Sequence, residues 1–439
     1  MIDIRLIRGE PEAVKAALAR KHVPATDVDA IIALDDEFRA ATRRQEEARA
    51  RVKELSKLVA TAKRSGDETR ATELAAESRI LGEEQKALAA SADDAADRLR
   101  QLMLVLPNLP APEVAEGQSD DDNPTVRSGG PGIDSYAPHQ NVPHWEIAEE
   151  LKLLDLERAA KLSGSMFPLF RGDGALLSRA LIQLFLNRAT ADGAWEEMRP
   201  PYLVKTETIT ATGHLPKFAD DAYQLERDDL WAIPTAEVPL TSMARDEILP
   251  ADALPWRMCA FTPCFRREAG SAGKDTRGLL RSHEFDKVEL LAYTTPEGYR
   301  EVFDDLLGRA VALCEELGFT WRVIEICAGA LGQSHAQSFD VEIWAPGAQQ
   351  WLEVSSVSWY TDYQARRANV RYRPAEGSPA FVHTINGSAL AVPRVWAALV
   401  EQNRRADGRV DVPEVLQPFT GKSILGGAAI LGGDKILGA

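Results

Sequence analysis

The segment Phe261 to Leu290, FTPCFRREAGSAGKDTRGLLRSHEFDKVEL, gathers the residue types that bind phosphate, a purine ring and an amino group. It begins apolar, reaches Arg266-Arg267-Glu268, opens into a Gly/Ser/Ala-rich loop from Ala269 to Gly278, and returns through Arg281, His283 and Phe285 to Glu289. The pattern reads as two strands joined by a long loop, with Arg266 and Glu268 on the outgoing strand and Phe285 and Glu289 on the returning one. A guanidinium pairs with phosphate through charge-assisted hydrogen bonds, an aromatic face stacks on a flat ring, and a carboxylate accepts an ammonium. No Ser/His/Asp arrangement stands out that would point to an activated nucleophile.

Such a platform needs a scaffold, and the pattern on either side supplies one. Residues 1–25 read as a short strand and helix, with Pro24 before Thr26-Asp27 as a helix start. Ile31, Leu34, Phe38, Ala41, Gln45, Ala48, Val52, Leu55, Val59 and Ala62 then recur three and four apart, a heptad seam broken at Ser65-Gly66-Asp67. A second seam runs through Leu74, Leu81, Leu88, Ala95 and Leu102, with Ala92, Leu99 and Leu106 beside it. Two helices of about 35 residues, each near 50 Å long at 1.5 Å per residue, would form an antiparallel hairpin over about 27–104. Residues 39–64 hold nine Lys/Arg against three Asp/Glu, whereas residues 67–99 hold four against nine. The first helix therefore carries a basic excess that could track phosphates, and the second does not; a dimerisation element or a spacer is the other reading of such an arm.

Prolines 107, 110 and 112 end the second helix. A linker over 107–143 leads to His144-Trp145-Glu146-Ile147, then to an amphipathic helix near Leu176–Ala191. Trp195–Val204 reads as a strand interrupted by Pro200-Pro201. After the central segment come a helix within Thr295–Gly318 and strands at Trp321–Cys327, Phe339–Trp344 and Trp351–Ser358. HTINGSALAVPRVWAALVEQN, His383 to Asn403, then runs from a strand into a helix with Pro393 and Arg394 at its start. The Gly-rich tail, 421–439, repeats Ile-Leu-Gly and is expected to be flexible or to dock at an edge.

The bulk properties agree with a water-soluble chain of 439 residues, with 45% hydrophobic and 27% charged residues and a net charge of −16. No apolar run approaches the roughly 20 residues that span a bilayer, and the N-terminus lacks the apolar core of a secretory signal. A cytoplasmic protein with no membrane partner is expected. Cys259, Cys264, Cys314 and Cys327 have no paired spacing and the seven histidines are scattered, so zinc is not expected.

In this order, the segments resemble the class II aminoacyl-tRNA synthetases, and most closely the seryl-tRNA synthetases of bacterial type. Trp195–Val204 stands where that family has motif 1, Phe261–Leu290 where it has motif 2, His383–Asn403 where it has motif 3, and Thr235-Ala236-Glu237 resembles its serine-binding loop. The likeness covers about residues 1–419. It implies an α+β fold: an antiparallel catalytic sheet flanked by helices (144–420), preceded by a tRNA-binding domain with a coiled-coil arm (1–106). It also implies a homodimer that activates L-serine with ATP and Mg²⁺ and transfers it to tRNA(Ser), and also to tRNA(Sec), held by the basic arm and the motif 2 loop.

The resemblance assigns roles residue by residue. Arg266 would bridge the α-phosphate and the substrate carboxylate, with Arg267 beside it and Glu268 on the adenine edge. Phe285 and Arg394 would sandwich the purine, and Arg281 would reach the terminal phosphates. Glu353, Val354, Ser355 and Ser356 would bind ATP, with Glu353 and Ser356 holding Mg²⁺ through oxygen. Thr235, Ala236, Glu237, Arg266, Glu289 and Ser388 would surround serine. Arg266, Glu353 and Arg394 would be the catalytic set.

Some positions depart from the family pattern. Ala330 and Gln337 replace an acidic residue and a lysine, Trp359-Tyr360 follow Val357-Ser358, Ala389 follows Asn386-Gly387-Ser388, and Glu284 precedes Phe285. Such changes either alter the substrate pocket or repack its wall. They keep three other readings open: a specialised paralogue from a natural-product pathway or conferring inhibitor resistance, a ligase loading a non-tRNA acceptor, and a non-catalytic RNA-binding paralogue.

Overall fold

Forty residues without a helix breaker, Ala25–Arg64, form helix α1, and Glu68–Val105 form α2 in this computed structural model. Residues 1–269 and 277–426 are described. The turn falls at Ser65-Gly66-Asp67, where Gly66 has φ +77° and the Asp67 side chain accepts from the Arg70 amide. Leu55, Ala62, Ala71 and Leu74 close the tip of the hairpin. The first seam is buried or half-buried throughout; the second shifts near its end, where Leu102 is 36% exposed while Met103 and Leu106 are buried. Cross-helix pairs Arg51–Glu77 at 3.3 Å and Arg98–Glu37 at 3.1 Å confirm the antiparallel register, although such exposed pairs add little stability.

The N-terminal strand expected from the sequence gives way to helix: Ile4–Gly9 and Pro11–Ala19 are both helical. Asp3 caps the first by accepting from the Arg5 amide at 2.8 Å, and Val14 and Leu18 bury one helical face, a spacing no strand would use. These elements and the hairpin make one compact unit, Ile2–Pro107; the chain from Asn108 onward makes a second.

The second unit is built on an eight-stranded sheet. Its strands are β1 (Thr125–Gly129), β2 (Glu196–Glu197), β3 (Trp256–Phe265), β4 (Glu284–Thr294), β5 (Trp321–Glu325), β6 (Gln337–Ala345), β7 (Gln350–Trp359) and β8 (His383–Ala391), in the spatial order β1-β5-β6-β7-β8-β4-β3-β2. All neighbours are antiparallel except β2 and β3, which run parallel. The segment read as a linker thus supplies the edge strand β1, paired with β5. Trp195–Val204 is also not one strand: beyond β2, the chain passes Pro200-Pro201 and enters a separate small sheet at Leu203–Lys205, since proline cannot donate to a ladder.

Alternation divides the large sheet into two faces. Val288, Leu290 and Ala292 of β4, Ile385 and Ala389 of β8 and Val357 of β7 point into the main core. Helices α3 (Asp173–Thr190), α4 (Tyr299–Glu316) and α5 (Val392–Gln402) cover that side with Leu177, Leu184, Phe303, Leu306, Val395 and Trp396. Gly387 is glycine for packing: a Cβ there would overlap Leu306 Cδ2 and come within 2.9 Å of Val357 Cγ2. All four cysteines are buried free thiols. The tail begins by docking, as Ile424–Leu425 pairs with Val410–Asp411 and Lys422 binds Asp173 at 2.5 Å. Its Ile-Leu-Gly repeat beyond Gly426 lies outside the described residues, as does most of the loop between Ala269 and Gly278.

Candidate active site

The opposite, polar face of β4, β7 and β8 floors a cavity of about 490 Å³. Phe285, Lys287 and Glu289 reach it from β4, and Asn386 and Ser388 from β8, in each case by the two-residue period of a strand. On β7 a bulge does the placing. Ser356 pairs with Asp340, Ser355 with Val341 and Glu353 with Glu342, so Val354 is the extra residue. That extra residue brings Glu353 and Ser356, three apart in sequence, to the same face.

Arg266 and Glu268 lie just past the end of β3 rather than on it. Glu268 sits at φ +51°, a conformation that non-glycine residues adopt at some cost and that is enriched at functional sites. The Arg266 guanidinium lies 5.2 Å from the Phe285 ring centroid, and Arg281 donates to Glu268 at 2.8 Å. Arg394, in the first turn of α5, donates to the Glu353 carbonyl at 2.7 Å and lies 3.5 Å from its carboxylate. Arg281 and Glu268, expected to meet different parts of a nucleotide, are therefore paired with each other in the free protein.

Thr235 and Glu237 reach the cavity from the start of the short helix Glu237–Thr241. Glu237 is buried, and burial, followed by the charge of Glu289, pushes its carboxyl up to about 7; Gln364 donates to it at 2.6 Å. Glu289 is 2% exposed, salt-bridged to Lys287 at 2.5 Å and hydrogen-bonded by Ser388 at 3.3 Å. His214 is driven down to about 3 by burial first, then by Arg266 and Lys287, which keeps its imidazole neutral.

Three expected site residues fall outside the lining. Ser355 points away from Ser356, as strand alternation demands, and its hydroxyl donates to the Ser388 carbonyl at 2.7 Å. Ala236 is fully buried behind Thr235. Arg267 is exposed, and its backbone amide donates to the Asp221 carbonyl. Conversely, sequence reasoning missed Lys287, Asn386, His214, Gln333 and Gln364. The first two share the strand period of Glu289 and Ser388 and were readable from it. Gln364 comes from the helix Tyr363–Ala368 and had no signal in the sequence.

The departing positions separate in space. Trp359 turns from the cavity to stack on Tyr299, with centroids 3.9 Å apart, and Gln337 donates to Glu325 at 3.2 Å. Ala389 is in the core and Glu284 is exposed. Tyr360 does line the cavity and donates to Asn386 at 2.8 Å.

The oxygen ligands expected for a divalent cation are acceptable ones. Glu353 and Ser356 share the lining, and Asp340 across the ladder has a carboxyl held well above the usual range by burial and by Glu353. One Asp340 oxygen is buried with no hydrogen-bond partner among the described residues. Crowded carboxylates of this kind are relieved by a hard cation.

Comparison with known proteins adds independent findings. Residues 220–403 match the class II tRNA synthetase core domain of the G, H, P, S and T type, and residues 1–110 match the seryl-tRNA synthetase N-terminal domain. The chain is 44% identical over 427 residues to a serine–tRNA ligase of Pseudothermotoga lettingae, covering 97% of this chain and all of that one. It is 45% identical over 429 residues to that of Gemmatimonas aurantiaca, with the same coverage. Among solved structures, seryl-tRNA synthetase from Pyrococcus horikoshii complexed with ATP superposes with a TM-score of 0.88 at 34% identity, covering 97% of this chain and 99% of that one. A cytoplasmic serine–tRNA ligase from Naegleria fowleri in complex with AMP gives 0.84 at 27%, covering 97% and 98%.

Proposed function

The chain belongs to the seryl-tRNA synthetase family of class II enzymes, and from that premise we propose that the cavity over the sheet is where serine and ATP are joined. The activity is that of a serine–tRNA ligase: ATP-dependent activation of the amino acid, then transfer to tRNA. The observation that carries the assignment of the site is one lining that holds three arginines, Arg266, Arg281 and Arg394, together with the buried carboxyl pair Glu237 and Glu289.

In the first step an oxygen of the serine carboxylate bonds to the α-phosphorus and pyrophosphate leaves. An α-carboxyl group ordinarily titrates at about 3.5, so it is already ionised at neutral pH and no general base is required. The barrier is lowered by positioning and by cations set where charge develops. Arg266 bridges the carboxylate and the α-phosphate. Arg281 exchanges its bond to Glu268 for the terminal phosphates, freeing Glu268 to meet the adenine edge, and Phe285 and Arg394 flank the ring. When bound, magnesium supplies further neutralisation of phosphate charge, with Glu353 and Ser356 as its proposed ligands.

Thr235, Glu237, Glu289 and Ser388 surround the serine, with Glu289 taking the ammonium, the hydroxyl or both. Alanine would leave these buried groups unpaired, which rejects it strongly, whereas threonine is excluded only by bulk. Transfer then moves the seryl group from the adenylate to a terminal ribose hydroxyl of tRNA(Ser), and of tRNA(Sec), with AMP leaving and the hydroxyl proton released; the basic helix α1 tracks the phosphates of the RNA and the loop between Ala269 and Gly278 meets its acceptor end. A cytoplasmic homodimer joined along the motif 1 segment completes the reading; β2 there is an edge strand with one side unpaired among the described residues.

Arg266→Ala tests the assignment. The Arg266 side chain lies over Phe285 and makes no salt bridge among the described residues, so the fold should survive while ATP–pyrophosphate exchange falls by at least about a hundredfold, the scale of losing one transition-state donor. Near-normal exchange would refute the α-phosphate contact.

A further inference from the structure

His144 is fully buried and has no part in the chemistry described above, yet both of its ring nitrogens are used. Nδ1 lies 2.8 Å from Glu401 Oε1, and the His144 backbone amide donates to the same oxygen at 2.8 Å. The other oxygen of Glu401 accepts from the amides of Gly347 at 2.9 Å and Ala348 at 3.2 Å. On its far side, His144 Nε2 accepts the amide of Leu279 at 3.0 Å. This network defines the tautomer: the proton is on Nδ1, facing a carboxylate, and Nε2 is bare to receive an N–H.

The Leu279 amide stands where the chain re-enters the site. Arg281, two residues on, pairs with Glu268, and the Leu280 carbonyl lies 3.5 Å from Arg394 Nε. Glu401 lies on the same helix as Arg394, seven residues later and so on the same face. One end of α5 therefore carries a candidate nucleotide arginine and the other end, through Glu401 and His144, holds the segment that carries a second one. Gly278 fits this contact closely: it has φ +65°, and a Cβ there would overlap His144 Nε2.

We propose that His144 is a positioning residue for ATP, transmitting the fixed location of Glu401 to the Leu279 amide and so setting Arg281 against Arg394. The proposal rests on the reading that these two arginines hold the nucleotide. It separates the two ring nitrogens by function, and the amide side chains can imitate them one at a time. H144N keeps a side-chain donor for Glu401 but offers no acceptor to Leu279; H144Q places an acceptor near the position of Nε2, while the backbone amide of residue 144 keeps its own bond to Glu401 Oε1.

The test compares H144N and H144Q with the wild-type enzyme in ATP–pyrophosphate exchange, with hydrogen exchange measured at the Leu279 amide. H144N should raise KM for ATP about tenfold, with KM for serine within about twofold and faster exchange at Leu279, as expected for one lost hydrogen bond to a buried amide. H144Q should restore both readouts to within about threefold of wild type. Equal defects in both variants, equal changes in the two KM values, or an unchanged KM for ATP in H144N would each overturn the proposal. Gly278→Ala, which crowds the same nitrogen, should reproduce the ATP-specific defect and serves if H144N does not fold; a normal KM for ATP there would also count against it. Absence of serine-dependent exchange in the wild-type enzyme would instead refute the underlying assignment of the site.

Discussion

With serine placed against Glu237 as proposed, its binding should depend on pH, and the size of the effect follows from the surroundings of that carboxyl. Its carboxyl is lifted from 4.5 to about 7 by burial first and by Glu289 second. A serine ammonium placed between these two carboxyls favours the ionised form, so binding below pH 7 must expel a proton. Affinity for serine should then fall about tenfold for each pH unit below 7, or about thirtyfold between pH 8 and 5.5, and level off above 7. The same shift bears on stability. Between pH 4.5 and 7 the folded state holds a proton that the unfolded state has released, so folding stability falls as pH rises through that window. The loss is on the order of 3 kcal/mol, and it is complete by about pH 8. Glu237→Gln keeps an oxygen for Gln364 to donate to and removes the titration. The variant should bind serine weakly with little pH dependence, and should gain stability relative to wild type at pH 8 but not at pH 4. Calorimetry in buffers of different ionisation enthalpy counts the released proton directly. A wild-type affinity that changes less than about twofold from pH 8 to 5.5, or the same slope in the glutamine variant, would refute the reasoning.

Two further outcomes follow from the scaffold. Deleting residues 36–98 should leave serine activation intact and cripple tRNA charging; charging that survives the deletion would make the arm a spacer and the basic stripe on α1 incidental. Gly387→Ala forces a methyl group against Leu306 and Val357 in a packed core, so it should lower stability by about 1–3 kcal/mol in denaturant unfolding; an unchanged midpoint would show that α4 yields there.

Periodicity made most of this molecule legible. The heptad spacing from Ile31 to Ala62 placed the hairpin because only a long helix keeps those side chains on one stripe, and Gly66 marked its turn. Strand alternation likewise carried Phe285, Glu289 and Ser388 to one face. Failures came where tertiary context decides. Thr125–Gly129 is a mostly exposed strand with a polar composition, and only its partner β5 makes it a strand. Ser355 and Ser356 must face opposite sides of β7, but only the bulge at Val354 puts Ser356 on the same face as Glu353. Gln364 reaches Glu237 across 127 residues of sequence, and His144 meets Glu401 across 257. Local pattern does not encode such contacts. The changes at Gln337 and Trp359 looked close to the substrate in sequence, yet their side chains face Glu325 and Tyr299.

The central claim, a cavity that joins serine to ATP for delivery to tRNA, is tested most directly by amino-acid-dependent ATP–pyrophosphate exchange followed by charging of total tRNA. Serine, threonine, alanine and cysteine would be compared at equal concentration. The account predicts that serine supports the fastest exchange, that alanine supports almost none, and that serine is transferred to tRNA. Faster exchange with another of the four, or serine activation with no charging, would contradict it.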